Sequence, residues 1–485
     1  MNKHVYSAMR RYLYYILGFM FCNSCNNNPN GSSAADTIVD QNPNDSTGVE
    51  YWQTTSQANT LAKQGNIQFS EKASSFSIVL DSTKLFQEMD GFGAALTGSS
   101  AYLIKNMSED KRQILLNSLF NTDDGIGISY LRLTIGSSDF SLGNYSYCDE
   151  PDISKFGIPS IDKRDLIPVL KEIMKINPQI SIMASPWSAP AWMKTSNSMN
   201  GGSLKQENMS DFAHYLVDYI QAMEQEGITI DAVTLQNEPQ YETSSYPSMK
   251  MDWQQQNELI RDYVGPLFKA NNINAKILIF DHNWSIYQYP INILADAQTS
   301  QYIAGTAFHG YEGNVASMST VYNANKDKGI YFTEISGGAW SDDFNTNLGW
   351  NMENVFIGGS NNYAKTVLMW NLALNTTSGP TNGGCDNCRG VVTIHDDGSF
   401  YKNVEYYSIG HFSKFVRPKA HRVANLVLGN KPSELIFSTF LNEDNTKVVI
   451  ACNNSTVKQE FTISCGAKSF SATLNPNNLA TFKWK

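Results

Sequence analysis

The chain has 485 residues, 46 acidic and 36 basic, and so carries a net charge of −10. At 41% hydrophobic and only 17% charged it has the composition of a core-forming chain, which excludes disorder, and its acidic balance excludes a protein that reads nucleic-acid backbones. Seven cysteines are too few for a disulfide scaffold of this length, which leaves a large globular protein of two or three domains, or one large barrel with a small companion.

Residues 1–25 read as a lipoprotein signal peptide. Lys3, Arg10 and Arg11 precede the apolar run Tyr12–Phe21, and Cys22-Asn-Ser-Cys25 follows at once. Ten apolar residues rise about 15 Å as a helix, half of what a bilayer core needs, so the run is no transmembrane anchor. Basic, apolar and small-residue regions in this order form an export signal. Cys25, behind Ser24, is the expected lipidation site, because Cys22 would put the bulky Phe21 at the cleavage point. Plain secretion with an incidental cysteine is the alternative. Residues 26–50 are rich in Asn, Ser, Asp, Gly and Pro and read as a flexible tether. The expected location is therefore outside the cytoplasm. The chain would be lipid-anchored to a bacterial (outer) membrane on its periplasmic or cell-surface face, touching that membrane only through the anchor.

Residues 66–89 read as strands. From Gly91 onward, short apolar runs alternate with amphipathic stretches: Gly91–Ala95, Ser129–Ile135, Ile180–Ala184, Val233–Gln236, Lys276–Phe280, Gly305–His309, Ile330–Thr333 and Thr366–Trp370. Helical patterns such as Ser108–Phe120, Arg164–Ile176, Met209–Glu226 and Gln254–Lys269 lie between them. Eight strand-helix units predict an α/β fold, a (β/α)8 TIM barrel over residues 90–414. A doubly wound sheet is the competing architecture, but the first strand lacks the G-x-G-x-x-G spacing of its phosphate turn. Residues 415–485 alternate without helices (Glu434–Leu441, Lys447–Cys452, Glu460–Ser464, Ser469–Leu474, Leu479–Trp484) and predict an all-β module. With residues 66–89 it is expected to form one accompanying β-sandwich built from both chain ends.

Chemistry in such barrels sits where strands end and βα loops begin. The fourth strand ends in Asn237-Glu238-Pro239 and the seventh in Thr333-Glu334, which brings two glutamates to one rim. A retaining glycosidase needs such a pair, about 5–5.5 Å apart, one as nucleophile and one as acid/base. Other strand ends supply what sugar chemistry uses. Trp187 and Trp370 offer indole faces for pyranose rings. Arg132, inside the second strand, would keep a neighbouring carboxylate ionised. Asp139, His309 and Tyr311 follow at the ends of the second and sixth strands. Taken singly, each of these also suits a core or structural hydrogen-bonding role.

The ordered motifs Asp90-Gly-Phe-Gly93, Leu131-Arg-Leu133, Ser138-Asp-Phe140, Ala184-Ser-Pro-Trp187, Asn237-Glu-Pro239, Thr333-Glu334, Trp370-Asn-Leu372 and Tyr407-Ser-Ile-Gly-His-Phe412 resemble glycoside hydrolase family 30 over residues 66 to 485. The resemblance implies net retention, with Glu238 as acid/base and Glu334 as nucleophile. It also implies Asn237 on the sugar 2-OH, Arg132 and Tyr311 holding the nucleophile, and Asp139, Trp187 and Trp370 in the −1 subsite. His309 and Trp340 are further substrate-side positions.

After the eighth strand comes Gly383-Gly-Cys385-Asp-Asn-Cys388-Arg389-Gly390. One C-x-x-C without a second ligand pair is poor evidence for zinc, and no redox fold surrounds it. A local Cys385–Cys388 disulfide is expected in an exported protein. Cys452 and Cys465 are expected to form another, which leaves Cys148 unpaired. The loop is similar to that of the family's β-1,6-glucan branch. The expected function is a β-1,6-glucanase. Glucosylceramide, a β-xylan or a small β-glucoside or β-xyloside are alternative substrates for the same mechanism. A non-catalytic glycan-binding protein would be expected to lack one carboxylate, and both are present. No metal motif such as H-E-x-x-H occurs, no cofactor is needed, and the expected partner of a monomeric chain is a β-glucan or other β-glucoside, not nucleic acid.

Overall fold

The computed structural model describes residues 48–70 and 74–485. The expected signal peptide with Cys25, and the expected tether up to residue 47, lie outside these. The last positions assigned to the tether belong to the folded body. Val49 is buried and pairs with Ile67, and Glu50–Thr54 forms strand β1. Trp52 is the reason: its ring packs on Phe415 at 4.5 Å, with the Lys63 ammonium 5.3 Å from its centroid. Among the described residues no helix is long and apolar enough to cross a membrane.

Beyond β1 come β2 (Ala62–Lys63) and the long β3 (Phe76–Glu88). The next strands are β4 (Gly91–Ala95), β5 (Tyr130–Ile135), β6 (Ser181–Pro186), β7 (Ala232–Thr234), β8 (Lys276–Asn283), β9 (Ile303–His309) and β10 (Gly329–Glu334). After the two-residue β11 (Gly337–Gly338), strand β12 (Ala364–Met369) pairs with both β10 and β4 and closes a parallel barrel. Strands buried on both faces read as unbroken apolar runs, which is why all eight were visible in the sequence. The helices between them bury one stripe each: Val169, Leu170 and Ile173 in Leu166–Ile176, and Phe212, Tyr215, Leu216, Tyr219 and Met223 in Met209–Gln225.

Short rim strands follow: β13 (Ala373–Asn375), β14 (Cys388–Arg389), β15 (Val392–Ile394) and β16 (Phe400–Lys402). The remaining strands are β17 (His421–Gly429), β18 (Leu435–Leu441), β19 (Lys447–Asn453), β20 (Gln459–Cys465), β21 (Lys468–Leu474) and β22 (Leu479–Trp484). They join β1, β2 and β3 in one sheet, ordered β2-β1-β22-β19-β18-β17-β3-β20-β21. Phe76, Ile78, Phe461, Phe470, Phe482 and Trp484 form the core of this sandwich. His411, on helix Val404–Ser413, ties it to the barrel. Its two ring nitrogens lie 2.8 Å from the hydroxyls of Thr54 on β1 and Thr481 on β22. Burial pushes its pKa down to about 3, so it makes this bridge as a neutral ring.

The expected Cys452–Cys465 disulfide does not form; both are free thiols, as is the buried Cys148. Between β19 and β20 the sheet interposes β18, β17 and β3. Cys452 moreover faces the large core shared with the barrel, whereas Cys465 packs against the sandwich core.

Candidate active site

Inward-facing residues alternate along barrel strands. One apolar layer contains Tyr130, Met183, Ala232, Leu278, Ala307, Tyr331 and Leu368. Two residues further along, six of these strands place Arg132, Ser185, Thr234, His309, Thr333 and Trp370 at the carboxyl end. On β8 the same step would deliver Phe280. Instead Phe280 and Asp281 adopt positive φ (76° and 67°) and the pairing with β9 shifts at this point. The bulge turns Phe280 outward against Tyr289 and Phe308 and sends Asp281 inward.

Asp281 is the centre of the resulting polar layer. Oδ2 accepts from Arg132 Nη2 (2.8 Å), Ser185 Oγ (3.0 Å) and Thr234 Oγ1 (2.8 Å). Oδ1 accepts from Thr333 Oγ1 (2.7 Å) and lies 3.0 Å from His309 Nε2. Burial alone would raise this carboxyl. Arg132, His309 and the hydroxyl donors overcome it and hold Asp281 far below the carboxylate range. Arg132, fully buried, also donates from Nη2 to Asn237 Oδ1 at 2.8 Å and from Nη1 to Glu334 Oε2. Its guanidinium lies 4.8 Å from the Trp187 ring centroid and 5.6 Å from that of Trp370, and the two indoles stack at 5.0 Å.

The two glutamates meet at this layer. Tyr311 donates its hydroxyl to Glu334 Oε1 at 2.9 Å. Glu238 stands at positive φ (47°), a strained conformation for a side chain of its size, and its Oε1 lies 3.1 Å from His309 Nδ1. One oxygen of each carboxyl and one His309 nitrogen fall within 4.8 Å of one another. Such a trio has the composition of a cation site, but His309 has a carboxylate at each nitrogen. Burial lowers its pKa, and the charges of Glu334 and Asp281 with the hydrogen bonds it donates to Asp281 and Glu238 carry it up to about 9.

Glu238 and Glu334 titrate as a unit. Burial raises Glu334, and the charge of Glu238 adds to that against His309 and Arg132. Burial acts on Glu238 as well, but the His309 hydrogen bond and the two adjacent imidazoles, His282 and His309, bring it below the ordinary range. Those shifts alone would leave the last proton on Glu334, and the donor set opposes them. Glu334 is held by a permanently charged guanidinium and a phenol, whereas Glu238 has one donor, an imidazolium able to give its proton up.

Beside the indoles, Asp139 Oδ1 is out of solvent and has no hydrogen-bond partner. Burial first, then the charges of Glu334 and Glu238, raise this carboxyl well above its usual range. Cys385 and Cys388 are bonded, as expected, and both pack in an apolar cluster with Phe140, Trp187 and Trp370. This loop pairs with the segment after Glu334 (Gly337 with Arg389, Gly338 with Cys388), and Arg389 donates to the buried Glu405 at 2.8 Å. Trp340 is half-exposed on the loop beyond Gly338. Inspection of strand ends thus placed Arg132, Asn237, Glu238, His309, Tyr311, Glu334, Trp187 and Trp370 in one constellation. It missed Asp281, His282, Ser185, Thr234 and Thr333. The polar run Asp281-His-Asn283 directly after the fifth apolar strand was the available signal.

Comparison with known proteins agrees. The glycosyl hydrolase family 30 TIM-barrel domain matches residues 89–416, and the family's beta sandwich domain matches residues 419–482. The endo-1,6-beta-D-glucanase neg1 of Aspergillus fumigatus is 34% identical over 365 residues, 69% of this chain and 71% of that protein. Mouse lysosomal acid glucosylceramidase is 29% identical over 449 residues, 87% of this chain and 86% of its own. Among solved structures, the endo-beta1,6-glucanase BT3312 superposes with a TM-score of 0.86 at 37% identity, covering 90% of this chain and 99% of its own.

Proposed function

The chain belongs to glycosyl hydrolase family 30 and is a retaining hydrolase of glycosidic bonds; from that premise we propose that it cleaves β-1,6-glucan internally, with Glu334 as nucleophile and Glu238 as acid/base. The observation that carries the double-displacement mechanism is the approach of the two carboxyls to within 4.8 Å; the roles follow from their donors, Arg132 and Tyr311 on Glu334 and His309 on Glu238. Inverting enzymes leave about 6.5–9.5 Å for a water, and retaining ones about 5–5.5 Å. Ionised Glu334 attacks the anomeric carbon while the bond to the leaving oxygen breaks and Glu238 delivers to that oxygen the proton it draws from the His309 imidazolium. The glycosyl ester removes the charge on Glu334, so Glu238, no longer opposed, becomes the base that takes a proton from water. That water attacks the anomeric carbon and releases Glu334. Asn237 has its carbonyl oxygen engaged by Arg132, which leaves its amide N–H groups for the sugar 2-OH. Asp139, whose Oδ1 has no partner among the described residues, hydrogen-bonds another hydroxyl, and Trp187 and Trp370 offer the ring its platform.

The choice of β-1,6-glucan rests on relatives. Endo-1,6-beta-D-glucanases of Aspergillus fumigatus, Trichoderma harzianum and Neurospora crassa each match over more than two thirds of both chains. The test is the product profile on pure β-1,6-glucan. An early ladder of gluco-oligosaccharides supports internal cleavage. No release by a preparation that still cleaves an aryl β-glucoside overturns the substrate and leaves the mechanism standing. We also propose export with a lipid on Cys25, supported by the basic, apolar and cysteine order of residues 3–25. Mass spectrometry of the mature amino terminus tests it; an unmodified terminus, or lipid retained in Cys25→Ser, overturns it.

A further inference from the structure

Lys194 is completely buried, yet among the described residues no carboxylate forms an ion pair with it. Its ammonium donates to Ser188 Oγ (2.8 Å), Met199 O (2.6 Å) and Ser248 O (2.7 Å). The first two acceptors belong to the loop that follows Trp187, and the third to the loop that follows Glu238. The same two loops are joined by Ser248 N to Met199 O (3.0 Å), Lys250 N to Gly202 O (2.9 Å) and Gly202 N to Glu242 Oε2 (2.9 Å). An ammonium has three N–H groups and here three acceptors, whereas an amine, with two N–H groups, can donate to only two of them. The second loop carries Tyr246, packed against the Trp187–Trp370 cluster, and Tyr241, which stacks on Tyr246 at 6.4 Å and is exposed. Trp370, Trp187, Tyr246 and Tyr241 thus form an aromatic series running from the pocket to the surface.

We propose that Lys194 is a positioning residue for polymer binding: by pinning the loop of Tyr241 and Tyr246 to the loop after Trp187, it holds a second aromatic platform for a glucosyl unit outside the catalytic pocket. This rests on the glucan reading, and the two fail separately. Turnover of β-1,6-glucan by the unaltered protein tests the substrate, whereas the ratio of KM on the polymer to KM on an aryl β-glucoside tests Lys194. Lys194→Met is expected to raise KM for the glucan about tenfold, the worth of one aromatic contact, while aryl glucoside kinetics change less than about twofold. An unchanged KM for glucan, or equal losses on both substrates in a folded variant, overturns the proposal.

Should Lys194→Met not fold, the unaltered protein provides the measurement. Burial pushes the Lys194 pKa down to about 7, against the charge of Glu242, which bears on it from the second loop. The KM ratio of polymer to aryl glucoside is therefore expected to rise between pH 6 and pH 9. The catalytic carboxyls and His309 act on both substrates and cancel in it. Tyr241→Ala is expected to flatten that rise. A flat ratio in the unaltered protein, or a rise that survives Tyr241→Ala, overturns the proposal.

Discussion

The two ends of the barrel are built from the same strands, two residues apart, and do opposite things. At one level Tyr130, Met183, Leu278, Tyr331 and Leu368 fill the interior with apolar volume. One alternation further, Arg132, Ser185, Thr234, His309 and Thr333 fill it with a charged network around Asp281. The difference teaches that burial alone does not decide what an interior position is for. In the lower layer the neighbours demand only shape, while in the upper layer each polar atom is committed to a partner, so that every substitution leaves another atom unpaired.

The comparison can be broken most severely at Glu334. Glu334→Gln, nearly isosteric, is expected to cost turnover about 10⁴-fold or more in a variant that still folds, measured on glucan and on an aryl glucoside. Appreciable residual activity would end its assignment as nucleophile. Glu238→Ala should be more discriminating. Glycosylation by substrates with good leaving groups is expected to survive and azide to rescue turnover, whereas glucan cleavage is lost; equal loss on both with no rescue would refute the acid/base role. Asp281→Asn tests whether the network is one unit. Removing a charge from the buried pair with Arg132 is expected to cost about 3 kcal/mol of stability in denaturant titration. It should also move the alkaline limb of the pH–rate profile toward acid, because Asp281 is one of the charges that raise His309.

Smaller effects sharpen the contrast. His309 has a folded-state pKa of about 9 against an ordinary 6.5. A raised pKa contributes stability that is complete below about pH 6.5 and lost as pH climbs through 9, so the melting temperature should fall across that window. A melting temperature flat from pH 6.5 to 9 would mean the imidazolium is not held as described. At the bottom of the scale, Tyr130 has a buried hydroxyl with no partner. Tyr130→Phe, two residues from Arg132, is expected to be neutral or stabilising within about 1 kcal/mol and to leave catalysis untouched. A large loss of activity would show the two layers to be coupled.

These regions also differed in how readily they could be read from sequence. The barrel strands were legible because continuous apolar runs have no other use in a chain so punctuated by amphipathic helices. Glu238 and Glu334 were legible because each directly follows such a run. Asp281 was not, since its inward placement depends on two consecutive residues at positive φ that no period-two pattern predicts. Strand β1 was hidden in a polar, tether-like segment where Trp52 alone signals burial. Strand β17 went unread because Leu426 and Leu428 on it are exposed, which blurs its alternation. The Cys452–Cys465 pairing failed for a related reason. Nearness along the chain says little in a sheet whose order places three strands between β19 and β20.

Strand β1 pairs along its full length with β22, Glu50 opposite Lys483 and Thr54 opposite Leu479. Across more than four hundred residues of chain, one of the first strands to be synthesised waits for one of the last. Until then Trp52 and Thr54 have no sheet neighbour on that side, and His411 lacks one of its two threonines. Vectorial emergence from a ribosome therefore leaves the sandwich incomplete until β22 arrives. Docking of β22 is the step that locks both ends onto the barrel, so a chain cut short by its last strand would lose the bridge through His411 together with the sheet.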